Sequence, residues 1–168
     1  MTNEDKHNLY SSIDTKNLNE FERYKYLTEN DVDIIKQRQQ VKKMEIERKL
    51  SSLMNDTKWL ELQKGIKNLP FAPAYNAKLI LWNEDEVNFG NFKEEPSYYG
   101  DWSNYWEEGL PIFFTIEWLE IRPKYKKYQG RLVPPKIIDE TKELINLLNN
   151  LNIPFENKNG SIFIYGYK

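Results

Sequence analysis

The chain has 168 residues, of which 39% are hydrophobic, 14% aromatic and 30% charged, with a net charge of −2 and no cysteine. The aromatic share is sufficient for a packed core, and the balanced charge gives no general attraction to nucleic acid or to a membrane. The lack of cysteine excludes disulfides, thiolate metal sites and cysteine nucleophiles, and the single histidine, His7, lies in a polar stretch. Any chemistry must therefore depend on carboxylates, Lys, Arg, Tyr or Ser.

The N-terminal third predicts a polar tail followed by a helical arm. Residues 1–16 have no apolar run of the kind found in a signal peptide. A helix is predicted from about Val32 to Met54, but its apolar stripe is interrupted by the polar run 36–40, which is typical of a solvated helix. We therefore predict an arm at residues 1–54 and a compact domain at residues 55–168.

Two helices are predicted in the compact domain. Thr57–Asn68 carries apolar residues at helical spacing, among them Trp59, which we assign to the core. Lys136–Asn150 shows a similar spacing and follows Pro135, which we place near the first helical turn because its missing N–H costs nothing there. Both helices are expected to lie against a sheet.

The strand predictions define that sheet. Ala77–Trp82 is a mostly apolar run, and Ile112–Ile121 is apolar on both faces, which predicts a central strand with Trp118 in the core. Asn159-Gly160 predicts a hairpin turn before the last strand. The fold class is therefore α+β, with a largely antiparallel sheet of four or five strands covered by two helices and preceded by the arm.

An acidic-aromatic segment, residues 84–108, is the main candidate for function. Tyrosine and tryptophan dominate interface hot spots, and carboxylates around them accelerate encounter with a basic partner. The alternative is a long loop held in place by its own aromatic residues, with a solvated acidic rim. The candidate binding residues are Tyr98, Tyr99, Trp102, Tyr105, Trp106, Glu94, Glu95, Asp101, Glu107 and Glu108.

A cationic turn follows the central strand. It interleaves basic residues with two tyrosines, a pattern that can bind single-stranded nucleic acid through phosphate contacts and base stacking. The acidic balance of the whole chain favours the alternative, in which these charges complement the acidic-aromatic segment. The turn comprises Arg122, Lys124, Tyr125, Lys126, Lys127, Tyr128 and Arg131.

Three carboxylates, Asp101, Glu117 and Glu120, are the candidates for catalysis. Glu117 and Glu120 are an odd number of positions apart on one strand, so their side chains point to opposite faces of the sheet. They cannot form an acid/base pair without help from elsewhere in the chain. The turn at residues 84–86 is also acidic, but it lacks the spaced ligands of a cation-binding loop.

Several short motifs resemble a bacterial protein family of unknown function over roughly residues 56–168. They are the runs at 116–123 (IEWLEIRP), 130–135 (GRLVPP), 138–139 and 164–167. The resemblance implies a small bacterial cytosolic domain and supplies no catalytic residue. The composition is also similar in character to that of immunity proteins of bacterial toxin systems, which is an analogy only.

The first functional hypothesis is a non-enzymatic, cytoplasmic interaction protein. It would bind a basic protein partner through the acidic-aromatic segment, as an immunity-type toxin neutraliser does, without a cofactor, a metal or a membrane. The alternative is a carboxylate-based enzyme acting on a sugar or nucleic-acid substrate. A pocket where the three carboxylates converge would favour the enzyme, and an exposed acidic-aromatic patch would favour the binding protein.

Overall fold

The computed structural model describes residue 2, residues 18–83 and residues 92–168, so the part of the acidic-aromatic segment at 84–91 lies outside the described residues. The chain divides into two compact units, residues 1–49 and residues 50–168. Within the described ranges, no helix is long and apolar enough to cross a membrane.

The first unit consists of two helices, α1 (Glu20–Asn30) and α2 (Val32–Glu47). Asn19 begins α1 by accepting a hydrogen bond from the Glu22 backbone N–H, and Glu22 reciprocates. Asp31 separates the helices and caps α2 by accepting from the N–H groups of the next turn. The predicted helix extended to about Met54, but α2 ends at Glu47 because Lys49 has a left-handed φ of 52°.

The second unit is an α+β domain. In chain order its elements are α3 (Asp56–Ile66), β1 (Ala74–Leu79), short 3₁₀ turns at Tyr105–Glu107 and Phe113–Thr115, β2 (Ile116–Arg122), β3 (Lys124–Lys127), β4 (Lys136–Asp139), α4 (Thr141–Asn150), β5 (Glu156–Lys158) and β6 (Ser161–Tyr165). The strands form a four-stranded antiparallel sheet in the order β1-β2-β6-β5 and a separate two-stranded ladder of β3 with β4.

The predicted central strand is confirmed as β2, which lies between β1 and β6. It begins later than predicted, because residues 113–115 form a 3₁₀ turn in which the Thr115 hydroxyl donates to the Ile112 carbonyl at 2.6 Å. Its register aligns Leu119 with Ile164 and Ile121 with Ile162, and all four side chains are fully buried. The core therefore lies on this face of the sheet.

The predicted hairpin at Asn159-Gly160 is also confirmed. Asn159 and Gly160 have φ values of 52° and 79°, as expected of a two-residue turn with both central residues left-handed, and they connect β5 to β6. The sheet extends beyond the named strands, since Ser51 exchanges two backbone hydrogen bonds with Lys168. Residues 51–53 thus belong to the second unit.

The helix predicted over Lys136–Asn150 is partly wrong. Residues 136–139 form β4, which pairs with β3, and the helix α4 begins only at Thr141. Ile137, one of the apolar residues of the predicted helix, is exposed on this ladder. A short apolar run can form either a helix or a strand. Residues 136–139 form a strand because β3 is available to pair with them.

The helices α3 and α4 cross closely at Gly65. A Cβ atom at Gly65 would lie 2.5 Å from a Leu147 methyl carbon, so a larger residue would require the Leu147 side chain to move. Trp59 on α3 is buried and stacks on Phe113 at 6.3 Å between ring centroids, which confirms its assignment to the core. The fully buried Leu144 and Leu148 on α4 complete this layer.

Trp118 is not the core residue that the sequence predicted. It is half-buried and lies on the opposite face of β2 from Leu119, where it pairs with Tyr165 and contacts the Phe163 ring at 5.7 Å. The central strand therefore carries the fully buried Leu119 and Ile121 on its core face, and its other face is mixed. The mixed face carries the polar residues described next.

Candidate functional site

The acidic-aromatic segment is fixed at its first half by an ion pair. The Arg122 guanidinium donates to both carboxylate oxygens of Glu95, at 2.9 and 2.7 Å, and also to the Asn159 carbonyl at 2.6 Å. These bonds from Arg122 lower the pKa of Glu95, and the same contact raises the pKa of Arg122. Glu95, a predicted binding residue, thus anchors the segment to the sheet.

The cationic turn lies directly against this half of the segment. Lys126 pairs with Glu94 at 3.6 Å, and its backbone N–H donates to the Pro96 carbonyl at 2.8 Å. Tyr125 contacts Tyr99 with ring centroids 4.7 Å apart. The cationic turn therefore complements the acidic segment, in agreement with the alternative drawn from the sequence.

The second half of the segment is fixed by Trp102, which is only 5% exposed. Its indole N–H donates to the Pro73 carbonyl at 2.8 Å, and its ring meets Tyr75 edge-on at 4.9 Å. The Gln63 side chain donates to the Trp102 carbonyl at 2.8 Å. Trp102, predicted to bind a partner, is thus a core residue that holds the loop in place.

Two of the predicted acidic residues cap local turns. Asp101 accepts from the N–H and hydroxyl groups of Ser103, and these bonds lower the pKa of Asp101. Glu107 accepts from the backbone and side chain of Asn104. Glu108 follows with a left-handed φ of 62° and is exposed. Asp101 and Glu107 therefore stabilise the loop through their side chains, whereas the Glu108 carboxylate is exposed.

The four remaining predicted residues are aromatic, and two of them are well exposed. Tyr98 and Tyr99 are 57% and 59% exposed, and Tyr99 also stacks on Phe71 at 6.2 Å. Tyr105 and Trp106 are half-buried and meet edge-on at 5.2 Å. We call Tyr98, Tyr99 and Tyr125 the tyrosine patch.

The three carboxylates proposed for catalysis are engaged by different partners. Asp101 caps Ser103, Glu117 is buried against the Lys78 ammonium at 2.5 Å, and Glu120 accepts from Ser161 at 2.9 Å. Across the described ranges, no group of three His, Cys, Asp or Glu side chains could hold a metal ion. The acidic turn at 84–86 lies outside those ranges.

The mixed face of the sheet carries a cavity that no sequence pattern indicated. Its volume is about 260 Å³, and a second concavity of about 350 Å³ shares Phe92 with it. Alternation along β2 and its pairing with β6 place Glu120, Arg122, Ser161 and Phe163 together on this face. The two-residue spacing of Glu120 and Arg122 indicated that both side chains lie on one face of the strand. Which residues of β6 lie beside them depends on the register of the two strands, which the sequence does not give. The cavity is lined by Phe92, Glu120, Arg122, Lys158, Asn159, Ser161 and Phe163.

Glu140 is the other buried titratable group of interest. It is fully buried between β4 and α4, where Oε2 accepts the Phe71 N–H at 3.2 Å and Oε1 has no partner among the described residues. Burial raises the pKa of Glu140 to about 7 against the opposing bond from Phe71, and Glu143 and Asp139 add to the rise. This carboxyl group therefore links the stability of the fold to pH.

We expect Glu140 to reduce the stability of the protein as the pH rises from about 4.5 to about 7. The folded state keeps this proton up to about pH 7, whereas the unfolded state releases it near pH 4.5, so the contribution is complete below 4.5 and lost above 7. The loss is on the order of 3 kcal/mol. Thermal melts at about pH 5 and about pH 8 should show a smaller difference in melting temperature for Glu140→Gln than for the native chain.

Glu143→Gln is the control for this measurement, since Glu143 is an exposed neighbour in the first turn of α4. It should retain nearly the pH dependence of the native chain. Equal pH dependence in Glu140→Gln and the native chain would contradict the assignment.

Fold and site together define a small α+β protein with an exposed tyrosine patch and a polar cavity on one sheet face. The chain belongs to a family described as a family of unknown function (DUF6678), which matches residues 41–168. This confirms the family resemblance seen in the sequence, and the match begins earlier than predicted, inside α2. Comparison with curated proteins and with solved structures gives no match.

Proposed function

We propose that this protein is a non-enzymatic interaction protein that binds a basic protein partner, in the manner of a bacterial, cytoplasmic immunity-type toxin neutraliser. The observation that carries the proposal is the exposure of Tyr98 and Tyr99, at 57% and 59%, on a segment that is anchored on both sides. Large aromatic side chains on a preformed surface lose little entropy on binding. Such residues supply most of the affinity of protein interfaces.

The anchors on either side of the patch give it this preformed character. The Glu95–Arg122 ion pair lies before Tyr98, and the buried Trp102 lies after Tyr99. Tyr99 is further supported from below by Phe71. The patch can therefore bind with little rearrangement, as a pre-organised surface does.

The carboxylates of the segment that have no cationic partner favour a basic partner protein. The described part of the segment has five carboxylates and one basic residue, Lys93. Of these five carboxylates, the cationic turn forms ion pairs with Glu94 and Glu95. Glu107 and Glu108 remain exposed. Their field would accelerate association with a cationic surface and would be screened over about 8 Å at physiological salt.

The test uses the partner recovered from the native host and a double change, Tyr98→Ser with Tyr99→Ser. We expect the affinity to fall by about 30-fold or more, chiefly through faster dissociation, because two hot-spot aromatics are lost. Surface plasmon resonance at two salt concentrations measures both rates. Glu108→Lys should instead slow association and reduce its salt dependence.

Tyr128→Ser is the matched control, because Tyr128 is 72% exposed but lies outside the tyrosine patch, on the loop after β3. It should leave both rates unchanged. A captured partner whose binding survives the double change would contradict the proposal. A toxin encoded beside this chain and inhibited by it would support the immunity-type assignment.

A further inference from the structure

The hairpin of β3 and β4 ends in a loop, residues 128–135, whose apolar side chains are exposed. Leu132 is 95% exposed, Val133 50% and Tyr128 72%. Lys127 pairs with Lys136 at the base of this loop, so these side chains lie beyond the end of the ladder. We call residues 127–136 the hairpin tip. One exposed leucine needs no explanation, but several apolar side chains on one short loop indicate a binding surface.

The loop has a defined shape that keeps its apex outward. Gly130 adopts a left-handed φ of 129°, which favours glycine, and its carbonyl accepts the Val133 N–H at 3.4 Å. Pro134 and Pro135 follow, and each ring fixes its own φ at about −65°. A loop restricted in this way loses little entropy on binding, so the exposed Leu132 is a pre-organised contact.

The charged side chains of the hairpin tip are all cationic. Lys127, Arg131 and Lys136 are exposed, and residues 121–138 contain no carboxylate. Among the residues that the structure describes, no carboxylate forms an ion pair with these three cations. The ion pairs between the cationic turn and the acidic-aromatic segment use Arg122 and Lys126 instead.

The carboxylates beside the ladder do not cancel this charge. Glu94 lies against Lys126 at 3.6 Å, and Asp139 lies opposite Lys124 in the register of the ladder. Lys124 also helps to lower the pKa of Asp139. Each of these carboxylates therefore offsets one cation of the ladder, and the three positive charges of the hairpin tip remain. They attract an anionic surface.

An aliphatic apex flanked by cations suits the boundary of an anionic bilayer. Leucine and valine gain free energy by entering the edge of the acyl region, and tyrosine is favoured at the level of the headgroups. Lysine and arginine attract anionic headgroups and keep their charged ends in water. Single-stranded nucleic acid is bound through stacked aromatic rings, and the loop contains one aromatic residue, Tyr128. The composition of the loop therefore favours lipid over nucleic acid.

We propose that the hairpin tip binds an anionic lipid surface, with its aliphatic apex inserted between the headgroups and its three cations against the lipid phosphates. This binding goes beyond the proposed function, because it uses neither the tyrosine patch nor a protein partner. It is weak and reversible, since stable anchoring to a membrane takes more than one signal.

Co-sedimentation of the full-length protein with sucrose-loaded vesicles tests the proposal. The protein should bind vesicles of phosphatidylcholine mixed with phosphatidylserine more tightly than vesicles of phosphatidylcholine alone. Binding to the mixed vesicles should weaken as salt is added, because salt screens the attraction to the headgroups. Absence of binding to the mixed vesicles, or equal binding to both kinds, would overturn the proposal.

Two substitutions separate the apolar and the charged contributions. Leu132→Ser should weaken binding to the mixed vesicles by about tenfold, and Arg131→Gln by about fivefold. Ile46→Ser, at a residue of α2 that is 77% exposed, and Lys64→Gln, at an exposed residue of α3, are the matched controls and should have no effect. Undiminished binding in Leu132→Ser, or an equal loss in the controls, would contradict the assignment to the hairpin tip.

Insertion of the apex is measured with a fluorescent label. Because the chain has no cysteine, Val133→Cys can be labelled at that one position with nitrobenzoxadiazole, whose emission shifts to the blue in an apolar medium. The mixed vesicles should produce this shift at residue 133 and leave the emission of labelled Ile46→Cys unchanged. An unchanged emission at residue 133 would show that the apex stays in water, against the proposal.

Other occupants of the hairpin tip give different results. In the absence of vesicle binding, self-association that is lost in Leu132→Ser would assign the tip to a second copy of the chain. An acidic protein that binds the native chain and not Leu132→Ser would assign it to a protein partner, and either result would overturn the proposal. The Tyr98→Ser, Tyr99→Ser protein should bind the mixed vesicles normally, so failure of the tyrosine patch and failure of the hairpin tip are separate results.

Discussion

Lys78→Met is expected to destabilise the protein by about 3–5 kcal/mol, because the substitution removes the ammonium that lies against the buried Glu117 carboxylate. The two side chains are only 6% and 10% exposed, and their charged atoms are 2.5 Å apart. A carboxylate that loses its cation in such a position retains its desolvation cost without the attraction. Urea denaturation followed by tryptophan fluorescence measures the loss.

The double change Lys78→Met with Glu117→Leu is the informative companion. It replaces the pair by apolar side chains of similar volume and should recover most of the stability, since such replacements are often neutral or favourable. Lys43→Met, at an exposed pair with Glu47 3.8 Å away, should cost less than about 0.5 kcal/mol. A loss below about 1 kcal/mol in Lys78→Met would show that solvent reaches the pair.

Trp102→Ala is expected to cost about 3–5 kcal/mol, as truncation of a buried large aromatic does. The change would open a cavity beside Tyr75 and remove the hydrogen bond to the Pro73 carbonyl. Trp102→Phe should cost less because it keeps an aromatic ring in the site. Thermal melts of the native chain, Trp102→Phe and Trp102→Ala should give decreasing melting temperatures in that order.

Trp118→Ala provides the comparison, because Trp118 is half-buried on the mixed face of the sheet. It should cost only about 1–2 kcal/mol, in proportion to the smaller apolar area that it removes from water. If Trp118→Ala proves more destabilising than Trp102→Ala, the assignment of the core is wrong. If the expected order is found, a loss of partner binding in Trp102→Ala is an effect of misfolding, because the Trp102 side chain faces inward.

Local patterns in the sequence were sufficient for the elements that depend on near neighbours. Asn159-Gly160 suits two left-handed positions, and the apolar spacing around Trp59 suits a helix with one buried face. The same patterns failed for residues 136–139, where a short apolar run fits either a helix or a strand. Pairing with Lys124–Lys127 decided for the strand.

Residue type was enough to select the binding candidates. It could not separate the residues that are exposed from those that hold the loop in place. Tyr98 and Trp102 have the same kind of sequence environment, yet one is exposed and the other is packed against Tyr75. Glu95 and Glu94 are adjacent, yet Glu95 is held by two bonds from Arg122 and Glu94 by one long contact with Lys126. Burial and long-range pairing made these distinctions, and neither is encoded in a local window.

The sequence by itself determined the α+β class, the central strand and the absence of cysteine chemistry, because composition and periodicity act within a few residues. Only the tertiary structure decided what the charged residues do. Strand register placed Glu120 beside Ser161, and the path of the loop brought Glu95 to Arg122, across separations of 41 and 27 positions. Contacts between residues so distant in the chain depend on how the sheet pairs and how the loop packs on it, and they created both the anchored tyrosine patch and the cavity.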